Sequence, residues 1–182
     1  VNILVVDDNQ SNLRLLSTIL NHKGYTVHPA SDGRAALEIA RNERFDLVLL
    51  DIIMPGFSGY DLCAALKADD RTCDIPVIFI SAIEEPLDKV NAFSVGGVDY
   101  ITKPFQLEEV LVRVENQLNL ARLQQQLRAQ NQQLQQEVRD RLEAETQLRA
   151  RAMQLRDRNL ILTQLARHHS LEGGDLKPAF ET

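Results

Sequence analysis

Short apolar runs alternating with amphipathic stretches predict an α/β fold: a doubly wound five-stranded parallel sheet in the order 2-1-3-4-5, followed by a long C-terminal coiled-coil helix. Three observations carry this. The runs NILVV at 2–6, LVLL at 47–50 and PVIFI at 76–80 lack polar alternation, as strands covered by helices on both faces do. Each leads to a polar residue, and in such sheets ligands bind in the crevice outside the carboxyl ends of the strands. Beyond residue 120 these runs give way to leucines recurring at every seventh position except 141 in a Gln- and Arg-rich background.

In chain order, residues 2–6 form the first strand and run into Asp7 and Asp8. Asn9 to Ser11 open a helix with the apolar stripe Leu13, Leu16 and Leu20, closed before Gly24. Tyr25 to Ala30 read as the second strand, and the turn Ser31-Asp32-Gly33 begins a short helix over Arg34 to Arg41. The third strand, Leu47 to Leu50 within FDLVLLDIIMPGFSG, ends at Asp51 and is broken by Met54-Pro55-Gly56. Ser58 to Lys67 follow as a helix, and Pro76 to Ile80 as a fourth strand ending at Ser81-Ala82. Pro86 to Val95 make a helix closed by Gly96-Gly97. Val98 to Ile101 make the fifth strand, and Thr102-Lys103-Pro104-Phe105 the loop before the last helix.

Charge divides the chain. Residues 1–119 hold ten Lys and Arg against eighteen Asp and Glu, and residues 120–182 ten against eight, which together give the net charge of −6. No Gly or Pro occurs between Pro104 and Gly173, so a helix and not a flexible linker crosses the boundary. The expected organisation is a domain at 1–118, a coiled-coil helix at 119–168 continuous with its last helix, and the start of a further domain at 169–182. The acidity argues against nucleic-acid binding, which needs a clustered basic face. No apolar stretch reaches the ~20 residues that span a bilayer, and no signal-peptide pattern precedes the first strand. Cys63 and Cys73, without metal-ligand spacing, fit a reduced cytoplasmic setting.

In the order 2-1-3-4-5 the ends of the first, third, fourth and fifth strands converge, bringing Asp7, Asp8, Asp51, Ser81 and Lys103 to one edge. Three carboxylates so placed repel and raise one another's pKa values unless a cation sits among them. Mg²⁺ answers this, because it takes oxygen ligands and is usually held by one or two carboxylates together with phosphate oxygens. Lys103 adds a point charge suited to a phosphoryl oxygen or to Asp51, and Ser81 adds a hydroxyl donor.

These motifs, VVDDN at 5–9, LLDIIMPGFSG at 49–59, ISA at 80–82 and GVDYITKPF at 97–105, resemble those of the response-regulator receiver domain of two-component signalling, which has a flavodoxin-like fold. The resemblance covers residues 2 to about 118 and implies that Asp51 accepts a phosphoryl group from a phosphohistidine on a partner kinase. It implies Mg²⁺ held by Asp7 or Asp8, with Asp51 and the backbone carbonyl of Ile53, Asp8 being the more direct of the pair. It further implies that Lys103 pairs with the phosphoryl oxygens, that Ser81 moves to hydrogen-bond them, that Tyr100 is an aromatic switch turning inward, and that Lys103-Pro104 is cis.

Downstream, every seventh residue reads Leu120, Leu127, Leu134, Arg141, Leu148, Leu155 and Leu162; with these at d of a heptad abcdefg, Gln117, Gln124, Asn131, Val138, Glu145, Ala152 and Asn159 fall at a. Leu at d with Asn at a favours a parallel two-stranded coiled coil with a fixed register. Arg141 and Glu145 interrupt the seam, and Leu142 beside them points to a shifted, weak or bent segment. From Leu107 to Arg167 the helix would span ~90 Å. The adjacent His168 and His169 point to different helix faces and read as exposed helix-end residues.

Leu160 to Thr182 resembles the opening of a GAF-type sensory domain, so the chain is expected to be a piece of a longer protein whose output domain is a kinase, a cyclase or a phosphatase. The expected function is therefore a phosphorylation-dependent receiver, fed by a sensor histidine kinase or phosphotransfer protein and relaying its state through a homodimeric coil. It catalyses nothing beyond its own phosphorylation and dephosphorylation. One rival is a dimerisation module that is never phosphorylated. The other is an Asp-nucleophile phosphohydrolase, against which speaks the sequence Ile52-Ile53 after Asp51, where a haloacid-type phosphatase has a DxD pair.

Overall fold

The computed structural model describes residues 1–82 and 86–172, and the side chains of 1–82 and 90–167. Its elements are β1 (Asn2–Val6), α1 (Gln10–His22), β2 (Thr26–Ala30), α2 (Gly33–Asn42), β3 (Leu47–Asp51), α3 (Gly59–Ala68), β4 (Val77–Ser81), α4 (Pro86–Ser94), β5 (Asp99–Thr102) and α5 (Leu107–Glu172). The sheet order is β2-β1-β3-β4-β5 with every pair parallel, the doubly wound arrangement that the apolar runs predict.

Strand alternation explains those runs. Leu4, Val6, Val48, Leu50, Val77, Phe79 and Tyr100 belong to one core, together with Ala36 and Ala40 of α2 and Leu62, Cys63 and Leu66 of α3. Ile3, Val5, Leu47, Leu49, Ile78, Ile80 and Ile101 belong to the other, with Leu13, Leu16 and Leu20 of α1 and Val110 and Val114 of α5. Successive side chains of a strand point to opposite faces, so a central strand with helices on both faces has no solvent face to make polar.

Several boundaries lie one residue from the sequence expectation, for reasons of backbone hydrogen bonding. Pro76 has no N–H to donate and stays outside β4, although its carbonyl accepts from the Val48 amide at 2.9 Å. At their far ends β3 and β4 extend to Asp51 and Ser81, which pair with Ile80 and Thr102. Side chains set the helix starts: Asn9 caps α1, Asp32 caps α2, and Ser58 with Asp61 forms a reciprocal capping box on α3.

By contacts the chain divides into two units, Val1–Gln125 and Gln126–Thr182. The first holds the sheet and both cores. In the second, Leu127, Leu134, Val138, Leu148 and Leu155 are 57–67% exposed along α5. Most of the expected further domain at 169–182 lies outside the described residues, as do the side chains of His168 and His169. Among the described residues no helix is long and apolar enough to cross a membrane.

Candidate functional site

The parallel register brings four strand ends to one edge of the sheet. Asp7 and Asp8 follow β1, Asp51 ends β3, Ser81 ends β4, and Lys103 follows β5. Carboxylate oxygens of Asp7, Asp8 and Asp51 lie within 4.8 Å of one another. Lys103 Nζ donates to Asp7 Oδ2 and to Asp51 Oδ2, each at 2.9 Å. The Lys103 amide donates to the Ser81 carbonyl at 2.8 Å, tying the loop after β5 to the end of β4, and the Lys103-Pro104 bond is cis.

Asp7 and Asp51 are buried at 2% and 6% exposure, whereas Asp8 faces solvent. Asp7 is fixed further by the start of α1: the Asn9 amide donates to its Oδ1 at 2.8 Å and Asn12 Nδ2 to its Oδ2 at 2.9 Å. Sequence reasoning did not single out Asn12. Its signal is its place in the first turn of α1 above the Asn9 cap, which aims its side chain back at the strand end.

The charges work against one another. Burial pushes the Asp51 carboxyl above its ordinary value; the Lys103 hydrogen bond and charge oppose this, Asp7 adds to it, and the Ile53 amide, donating to the carboxylate, opposes it again. Burial would lower Lys103, but its pairing with Asp51 and Asp7 prevails and raises it. Three carboxylates and one ammonium leave two negative charges among oxygen-only donors, a set that fits a hard divalent cation such as Mg²⁺.

The loop after Asp51 is close-packed. Ile53 is exposed and is joined to the site through its amide. The Gly59 amide donates to the Ile52 carbonyl at 2.9 Å, and a Cβ on Gly59 would press into the Asp51 carbonyl and lie 2.8 Å from the Ile52 Cα. Gly56 takes a φ of 77° where the chain turns, a conformation that favours glycine. Ser81 is fully buried, and Tyr100 lies in β5 opposite Phe79 at 6% exposure. The structure thus assembles Asp7, Asp8, Asp51, Ser81 and Lys103 at one edge, with Ile53 joined to Asp51 through its amide, while Tyr100 lies three residues before Lys103, in the core under β5. Leu120, Leu127, Asn131, Leu134, Val138, Leu148 and Leu155, expected from the heptad spacing to form a seam, lie apart from this edge in sequence, along α5.

The profile of the response regulator receiver domain matches residues 3–115. Among curated proteins, the chain is 40% identical over 112 residues to the DNA-binding dual master transcriptional regulator RpaA of Synechocystis, an alignment covering 62% of this chain and 46% of that protein. It is 40% identical over 114 residues to response regulator PleD of Caulobacter vibrioides, covering 63% of this chain and 25% of PleD. The chain spans about half the length of most of the curated relatives it matches. Among solved structures, chemotaxis protein CheY4 of Vibrio cholerae superposes with a TM-score of 0.61 at 30% identity, covering 63% of this chain and 96% of CheY4. Fold, strand-end cluster and profile agree, and the chain belongs to the response regulator receiver domain family.

Proposed function

We propose that Asp51 accepts a phosphoryl group from a phosphohistidine on a sensor histidine kinase or phosphotransfer protein, and that the phosphorylated state passes through a parallel coiled-coil dimer to an output domain. Lys103 Nζ, 2.9 Å from both Asp7 and Asp51 in a cluster that keeps two uncompensated negative charges, is the observation that supports this most. An Asp51 carboxylate oxygen bonds to phosphorus as the N–P bond breaks; the electron pair stays with that imidazole nitrogen, and because the other ring nitrogen of the phosphohistidine carries a proton, the ring leaves as neutral imidazole.

Asp7, Asp8, Asp51 and the Ile53 carbonyl would hold Mg²⁺, which when bound supplies charge to offset the phosphoryl oxygens. Asn12 and the Asn9 amide keep Asp7 in place. Lys103 already points its ammonium at the nucleophile and transfers a hydrogen bond to the incoming group, so most of the catalysis is positioning and electrostatics. Ser81 then hydrogen-bonds the aspartyl phosphate, and Tyr100, next along the sheet from the Phe79 strand, responds to that movement. Leu120, Leu127, Leu134, Leu148 and Leu155 at d, with Asn131 and Val138 at a, form the seam of the dimer. The two free cysteines suit a reducing, cytoplasmic setting.

Intact mass after incubation with acetyl phosphate and Mg²⁺ tests the chemistry. The wild type gains one phosphoryl group and Asp51→Asn gains none. If neither gains, the account gives way to a dimerisation module that is not phosphorylated.

A further inference from the structure

The apolar stripe of the second unit is broken at its middle by charge, in a pattern that complements itself. Glu137, Arg141, Glu145 and Arg149 alternate in sign at four-residue steps. Arg141 Nη2 pairs with Glu137 Oε1 at 2.7 Å, and Arg149 Nη2 with Glu145 Oε1 at 2.7 Å. Four residues exceed one turn of 3.6, so the ladder winds around the helix and crosses the heptad positions g, d, a and e in succession. Two of its members, Arg141 at d and Glu145 at a, therefore occupy seam positions where Leu134, Val138 and Leu148 stand on either side.

All four ladder side chains are exposed, and surface pairs of this kind hold their partners weakly. In a parallel, in-register coil each d side chain inserts into a hole lined by four residues of the facing helix, among them d and the following a. Arg141 then lands beside the second copy's Glu145, and Glu145 beside the second copy's Arg141. Each chain brings one cation and one anion to the seam, so the layer is neutral. A slip of one heptad would instead set Arg141 against Leu148 and Ala152, or against Leu134 and Val138, leaving it buried without a counter-charge.

We propose that Arg141 and Glu145 form an ionic layer with the same two residues of a second copy of this chain, and that this layer holds the register at the centre of the seam. The inference rests on the dimer reading above and adds its central contact.

Charge reversal tests it in the full chain. Arg141→Glu presents only carboxylates to the layer and Glu145→Arg only guanidinium groups, while both keep good helix formers. Each variant alone should dimerise at least ~10-fold more weakly than wild type by sedimentation equilibrium, from like-charge contact across the seam. An equimolar mixture should recover near wild-type association as a heterodimer. Variants that self-associate like wild type, or a mixture no tighter than its components, would overturn the layer while leaving the dimer. A wild-type chain that stays monomeric would overturn the dimer reading and the layer with it.

Discussion

At the scale of single residues the Asp51–Lys103 pair, joined at 2.9 Å, sets the charge of the site. Because burial raises the Asp51 pKa, the folded protein holds that proton to higher pH than the unfolded chain does. Stability from this group is complete below the unfolded value and is lost as pH rises through the folded one. Acidification, conversely, protonates Asp51 and so removes the proposed nucleophile. The initial rate of phosphorylation by acetyl phosphate should therefore fall on acidification from a pH above the ordinary carboxylate value of about 3.9. Lys103→Met removes the main opposing charge, so its acid limb should lie at higher pH and its rate near neutrality should drop by ~10-fold or more. A variant with the wild-type pH profile would show that Lys103 does not govern the nucleophile. Asp7, Asp51, Ser81 and Lys103 were legible in the sequence because each terminates or follows a strand and the sheet order makes those ends neighbours. Asn12 was not, because its role depends on where a first-turn helix side chain points, which no strand pattern encodes.

At the scale of elements, β3 and the turn into α3 carry Asp51, the proposed phosphoacceptor, and their packing leaves no room at Gly59. Gly59→Ala forces its Cβ against the backbone of Asp51 and Ile52, so the strand end or the start of α3 must move. Expected outcomes are a loss of about 1–3 kcal/mol in chemical denaturation and slower phosphorylation of the fraction that remains folded. Full stability and rate in this variant would contradict the close approach. The strands themselves were readable from their uninterrupted apolar runs, since both faces are covered. Their ends were less so. The ladder continues through Asp51↔Ile80 and Ser81↔Thr102, where the side chains are polar but the backbone still pairs, and it excludes Pro76, which is apolar but has no N–H.

At the scale of the whole molecule, heptad spacing makes the helix and its seam visible in the sequence, whereas pairing belongs to two chains and is a proposal. The half-exposed to two-thirds-exposed leucines of α5 are what a second helix would cover. For phosphorylation at Asp51 to matter there, the phosphorylated state must favour one arrangement of the coil. A near-complete switch from off to on needs about 5.5 kcal/mol of differential stabilisation, and a graded one less. The direct test is the dimer dissociation constant of the full chain, by sedimentation equilibrium in Mg²⁺, with and without beryllofluoride as the acyl-phosphate mimic. A shift of roughly 5-fold or more in wild type, absent in Asp51→Asn, is the predicted result. An unchanged constant in a wild-type chain that takes up a phosphoryl group by intact mass would contradict the relay and leave the receiver chemistry uncoupled from the coil.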